Sequence, residues 1–244
     1  MSHISVHDIA YNWVNFIKWI SGRICLGIFF YASAWFLFAF AHSLLARPAI
    51  QEKLEVFLGR WYRIFYNVFA SITILAVLYA GSHLLNGTTL TLFENTFFTG
   101  IMNGIRLTGL IVLTVSLTSY DIGRFIGITQ VMTGERLSST SNEPLQKRGL
   151  NQWVRHPLYT GAFLTLWGGA VSLFDIWTAI WGTLYLVIGT KFEERKLVRI
   201  YEDEYLKYQR EVPRYFPRFS SWQFLEPRIY RNYLTWLCHG YNIR

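Results

Sequence analysis

Three short stretches put polar side chains where the surrounding chain is apolar: "WVRHPLYTG" from Trp153 to Gly161, the pair Glu193–Glu194, and "SYDIGRFIGITQ" from Ser119 to Gln130. In the first, Arg155 and His156 set two basic groups directly before Pro157. Proline removes a backbone donor and disfavours helix in the residue before it, so a helix is expected to begin at or near Pro157. The mouth of such a helix carries amide groups without intrahelical partners, and beside two basic side chains it suits an anion such as a carboxylate. In the second, two carboxylates emerge straight from an apolar run. That placement is costly unless the carboxylates are solvated, paired or serving a cation. In the third, Asp121 and Gln130 are polar groups in a greasy stretch that also holds Gly123 and Gly127. Each stretch also has a plain reading. Arg155 and His156 can anchor an interface, Gly161 can serve packing, and Glu193 and Glu194 can pair with Arg195 or Lys196 on a solvated turn, where such pairs contribute little. Asp121 and Gln130 by themselves mark only an interfacial turn.

The elements that must position these groups are apolar helices. Of 244 residues, 52% are hydrophobic, 18% aromatic and only 16% charged, which is outside the usual range of a soluble domain. Apolar runs close to bilayer-spanning length recur at Cys25 to Ala46, Ile64 to Leu85, Ile101 to Ile122, Pro157 to Phe174 and Ile176 to Thr190, the last being short. No cleavable secretory signal is expected in the first twenty residues, which carry His, Asp and aromatic side chains. The expectation is an all-α polytopic membrane bundle of about five spans. Residues 1–122 supply amino-terminal spans, 123–219 a core that holds the site, and 220–244 a tail.

Charge orients the bundle. The Arg47–Arg63 connection holds four Lys and Arg, Arg124–Arg155 five and Lys191–Arg244 eleven, whereas Asn86–Gly100 holds none. Basic loops collect on the cytoplasmic side, which places the amino terminus outside and the carboxyl terminus inside. The net charge of +8 then reflects a face beside anionic lipid, and no nucleic-acid partner is expected. The two cysteines, Cys25 and Cys238, are expected to stay unpaired, and no CxxC or HExxH spacing offers a metal site. The polar connection Gly123 to Gln152 is long for an idle loop. Beyond Glu194, the residues Leu197, Ile200, Tyr201, Tyr205, Tyr208 and Val212 recur at three- and four-residue intervals. They predict an amphipathic helix that closes at Val212-Pro213 and suits a membrane surface.

In order, the chain reads "RHPLYTG", an apolar run, a turn, a second run, "EE", "Y..Y" and "VPRYFP". This series resembles the integral membrane methyltransferases related to isoprenylcysteine carboxyl methyltransferase and the phospholipid methyltransferases. It matches at Arg155, His156, Pro157, Tyr159, Gly161, Glu193, Glu194, Leu197, Tyr205, Tyr208, Val212, Pro213 and Arg214. Upstream, "FAHSLLARPAIQEKL", "RIFYNVFA" and "YDIGRFIGITQ" resemble the branch that holds methanethiol S-methyltransferase and the NnrU-type proteins. The resemblance implies S-adenosylmethionine as cofactor in a cytosol-facing pocket, and methyl transfer to a small or lipophilic thiol. Its residues would be Gln130, Arg155, His156, Tyr159, Gly161, Glu193, Glu194 and Leu197 around the cofactor, with His156, Arg214 and Asp121 in catalysis. Glutamates suit the sulfonium, Arg155 or His156 its carboxylate, and Tyr159, Gly161 and Leu197 its adenine. Relatives that methylate a prenylcysteine carboxylate carry an arginine several residues before the glutamate pair. Ile188 stands there in this chain, which argues against that acceptor. Methylation of a lipid amine and a non-catalytic role in nitrogen-oxide metabolism are the alternatives the resemblance leaves open. The bacterial inner membrane is the expected location.

Overall fold

A computed structural model of the chain describes residues 6–85, 96–134 and 144–218, with side chains from Ser21 onward. Cys238, the centre of the long polar connection and the 220–244 tail lie outside these residues. Among the described residues the fold is helical, without a strand: α1 (Val6–Leu45), α2 (Pro48–Leu58), α3 (Tyr62–Leu85), α4 (Thr96–Leu117), α5 (Ile122–Ile126), α6 (Ile128–Thr133), α7 (Pro157–Gly168) and α8 (Leu173–Glu211). Four of the described segments are long and apolar enough to cross a bilayer: Ser21–Leu45, Pro48–Leu85, Thr96–Leu117 and Leu173–Glu211.

The fourth expected span differs. The run from Pro157 becomes the 12-residue α7, which ends at Gly168. At about 1.5 Å per residue it reaches only ~18 Å, short of the ~30 Å hydrocarbon thickness. Ser172 stops the run from continuing as one helix. Its hydroxyl accepts from the Asp175 amide, and the Asp175 carboxylate accepts from the Ser172 amide, a capping box that starts α8.

Two close packings hold the bundle. Along α4 and α7, Gly109, Gly161 and Gly168 let the backbones touch; a Cβ on Gly161 would lie 2.7 Å from the Leu113 nitrogen and 2.9 Å from the Gly109 oxygen. In the amino-terminal half, α1 and α3 pack with the first turns of α8 around buried Tyr31, Trp35, Phe38, Val77 and Leu85. Tyr31 donates to or accepts from Thr178 of α8 at 2.8 Å, so α8 joins both halves.

The amphipathic segment expected after Glu194 is continuous with α8 up to a break. Glu202 sits at φ 45°, ψ −124°, unfavourable for a side chain with a Cβ. The break turns the last helical stretch back, so that Tyr205 and Tyr208 are buried. Because such strain costs on the order of 1–3 kcal/mol, Glu202→Gly is expected to raise stability by about 1 kcal/mol. A rise in the unfolding temperature of detergent-solubilised protein would show it, and a fall would contradict the strain.

Candidate active site

Glu194 is the centre of the site. It leaves α8 one turn after Thr190, is 4% exposed, and collects donors from three parts of the chain. Arg155 donates to its Oε1 from Nε at 2.9 Å and from Nη2 at 2.8 Å. His156 Nε2 lies 3.2 Å from the same oxygen. Arg214 donates from Nη2 to Oε2 at 2.6 Å and from Nε to Oε1 at 3.2 Å, and Gln209 Nε2 reaches Oε2 at 3.3 Å. A carboxylate between two guanidinium groups is ionised. Glu194 thereby ties the α7 entrance to the end of α8 and to the segment after it.

Backbone pairing fixes the same junction. The Arg155 amide donates to the Pro213 carbonyl at 2.8 Å and the His156 amide to the Arg214 carbonyl at 3.0 Å. The Arg155 Nη1 donates to the Gln209 and Val212 carbonyls at the carboxyl end of α8. Arg155 therefore has four of its groups' bonds directed at protein acceptors, and with a side chain 7% exposed it acts as a clip on the Glu194 carboxylate. That differs from the expectation that it meets a ligand carboxylate. Hydrogen bonding to Glu194 raises the pKa of Arg214 above its ordinary value, outweighing burial.

Glu193 faces the other way. It is half exposed, accepts from the Tyr159 hydroxyl at 2.7 Å, and its Oε2 lies 3.8 Å from His156 Nδ1. The His156 and Tyr159 rings stack at 5.4 Å and 8°. Since Nε2 must carry the proton to bond Glu194, a neutral His156 presents Nδ1 as an acceptor.

A cavity of about 460 Å³ opens beside this network. Lys191, Glu194, Arg195, Val198, Arg199, Gln209 and Arg214 line it. Positions 191, 194, 195, 198 and 199 form one helical face, three and four residues apart. The cavity thus has a cationic rim over an ionised carboxylate.

The structure brings Arg155, His156, Tyr159, Glu193, Glu194 and Arg214 together. Leu197 is half-buried one turn beyond Glu193. Three others stand elsewhere. Gly161 packs on α4. Gln130 is buried and donates to the Arg124 carbonyl at 3.1 Å. Asp121 is exposed and caps α5 by accepting from the Arg124 amide at 3.0 Å. The cluster also contains residues the sequence did not single out as site residues. Gln209 is one, and Thr160 is another, its hydroxyl reaching the His156 and Tyr215 carbonyls. Lys191, Arg195 and Arg199 on the cavity rim were not singled out either, although they recur four residues apart on α8.

Residues 103–204, which hold both the α7 entrance and the glutamate pair, match the phospholipid methyltransferase family model. Over those residues the chain is similar to the phospholipid methyltransferases. It is an integral membrane methyltransferase. The chain is 26% identical over 183 residues to the methanethiol S-methyltransferase of Crocosphaera subtropica, covering 74% of this chain and 71% of that protein. It is 27% identical over 184 residues to methanethiol S-methyltransferase 2 of Bradyrhizobium diazoefficiens, covering 75% and 70%. The methanethiol S-methyltransferase of Mycobacterium tuberculosis is 31% identical over 107 residues, 43% of this chain and 44% of that protein. No solved structure matches the chain. The 102 positions from 103 to 204 leave Arg214 outside the matched domain, although its side chain completes the Glu194 network.

Proposed function

We propose that this methyltransferase takes its methyl group from S-adenosylmethionine on the cytosolic side and places it on a small or lipophilic thiol. The cation-rimmed cavity beside the ionised Glu194 carries the reading. That cofactor has a carboxylate at one end and a sulfonium near its middle. Lys191, Arg195 and Arg199 suit the carboxylate by charge-assisted hydrogen bonds, and Val198 supplies an apolar wall. The ionised Glu194 carboxylate in the cavity lining suits the cation, as carboxylates do at a low-dielectric boundary. When bound, the cofactor supplies an electrophilic methyl carbon. The chain's own groups bind, orient and exclude water, because an in-line transfer needs alignment more than covalent help.

Removing one rim guanidinium takes away a charged hydrogen bond of roughly 1.5–3 kcal/mol. Arg195→Ala or Arg199→Ala is therefore expected to weaken S-adenosylhomocysteine binding about tenfold or more in calorimetric titration. Affinities within twofold of wild type for Lys191→Ala, Arg195→Ala and Arg199→Ala would remove the cavity as the cofactor site.

The thiol acceptor is supported by the named relatives, whose similarity runs well beyond the domain into further parts of the chain. The family model's own description favours a lipid amine as the second reading. The cytosolic placement rests on the basic loops. Reporter fusions are expected to give an external signal after Asn95 and a cytosolic one after Ser220, and a cytosolic signal at Asn95 would overturn the orientation.

A further inference from the structure

One buried polar group near the site serves no purpose in the network above. His42, in the last turn of α1, is bonded through Nε2 to the Tyr66 hydroxyl of α3 at 2.6 Å. Its Nδ1 is buried and has no hydrogen-bond partner. Buried polar atoms are nearly always paired, so an orphaned one asks for a ligand or a cost. The ring is enclosed by aromatic faces from three helices: Phe38 at 5.5 Å, Tyr66 at 4.8 Å and Tyr185 of α8 at 5.9 Å. Tyr185 stands on α8 about two turns before Glu193, whose carboxylate Tyr159 holds. Two more buried donors without partners, Trp35 Nε1 and Trp181 Nε1, sit on the same two helices, α1 and α8. They lie about two turns before His42 and about one turn before Tyr185. The seam between α1, α3 and α8 thus combines aromatic walls with unsatisfied nitrogen atoms, and it lies about two turns of α8 from the Tyr159–Glu193 contact.

We propose that His42, oriented by Tyr66, is the acceptor-side base of the methyl transfer, in an aromatic seam that admits a small thiol from the bilayer. The inference rests on the thiol reading above and adds the residue that makes the thiol reactive. A thiol is a poor nucleophile until it loses its proton. With Nε2–H donating to the Tyr66 oxygen, Nδ1 is free to accept that proton. The thiolate lone pair then forms the new sulfur–carbon bond while the methyl carbon's old bond breaks, its electron pair staying on the donor sulfur. The imidazolium loses its proton to water at the nearby interface, where α1 ends three residues later at Leu45. Aromatic faces around the seam also suit the positive charge that the methyl group carries across. His42 and Tyr66 both lie outside the matched domain, so the acceptor side is supplied by the amino-terminal helices.

The test compares purified His42→Asn, Tyr66→Phe and wild type with two thiols of similar size, ethanethiol and the more acidic 2,2,2-trifluoroethanethiol. Affinity for S-adenosylhomocysteine is read by calorimetry alongside. Loss of a positioned base costs about 10²–10⁴-fold in rate. His42→Asn is expected to lose that much with ethanethiol and at least tenfold less with the fluorinated thiol, which arrives partly ionised. Its S-adenosylhomocysteine affinity should stay within twofold of wild type. Tyr66→Phe should show the same selectivity in smaller measure. Equal losses with both thiols would make His42 a packing residue, and a loss under threefold would remove it from the reaction; either overturns the base. Wild type that binds S-adenosylhomocysteine but methylates neither thiol would overturn the thiol reading and the base with it.

Discussion

Glu194→Gln is expected to destabilise the protein by roughly 3–5 kcal/mol, because it leaves the buried Arg155 guanidinium without its counter-charge. The two side chains are 7% and 6% exposed, and the change also removes the anchor for Arg214 and the partner of His156. A solvated carboxylate at the same place would cost only a few tenths of a kcal/mol, the usual scale for surface changes. The two outcomes are therefore separated by more than the error of an unfolding measurement on solubilised protein. A paired replacement sharpens the result. Arg155→Met with Glu194→Leu removes both charges and should recover part of the loss, since a buried pair exchanged for apolar groups is often near neutral. The coupling between the two single changes should then be large, as it is for residues in one network. Independent, additive losses would mean that Arg155 and Glu194 do not form the joint described.

Gly161→Leu is expected to fail for a different reason. A Cβ at Gly161 already meets the Leu113 nitrogen at 2.7 Å and the Gly109 oxygen at 2.9 Å, and both are backbone atoms that cannot rotate away. A larger side chain must push α4 and α7 apart. Overpacking of this kind costs about 1–3 kcal/mol where side chains can adjust, and more is expected where backbone must move. Gly161→Ala should already lower the unfolding temperature, with the cost appearing in the protein without any ligand. A variant with wild-type stability and weakened S-adenosylhomocysteine binding would instead put Gly161 at the cofactor, as the sequence suggested.

Much of the site was legible because its chemistry is concentrated in short motifs. "RHP" announces a helix start by the rules of proline alone, and "EE" at the end of an apolar run demands partners. The structure supplies those partners from Arg155, His156 and Arg214. What the sequence did not show was how completely the partners use one another. That depends on the break at Glu202, within "YEDEY", which contains neither Gly nor Pro and gives no local signal of a turn. Only once the chain folds back there do the Gln209 and Val212 carbonyls meet Arg155. The helix count was harder to read. The run from Pro157 to Phe174 looks continuous in apolar content, yet Gly168, Gly169 and the Ser172–Asp175 capping box divide it. Such a cap is a readable pattern, outweighed here by hydrophobicity. Asp121 and Gln130 were legible as polar but not as local. Asp121 caps α5 and Gln130 donates to the Arg124 carbonyl, local roles that spacing alone does not separate from a site. The His42–Tyr66 pair joins residues 24 apart on different helices, and neither motif hints at the other.

We propose that this chain moves a methyl group from a sulfonium donor to a thiol. Purified protein in lipid nanodiscs, supplied with methyl-labelled S-adenosylmethionine and methanethiol, tests it most directly. The label is expected in dimethyl sulfide in amounts exceeding the enzyme present, while lipid amines in the same disc stay unlabelled. Label in the lipid fraction with none in the volatile sulfide would contradict it.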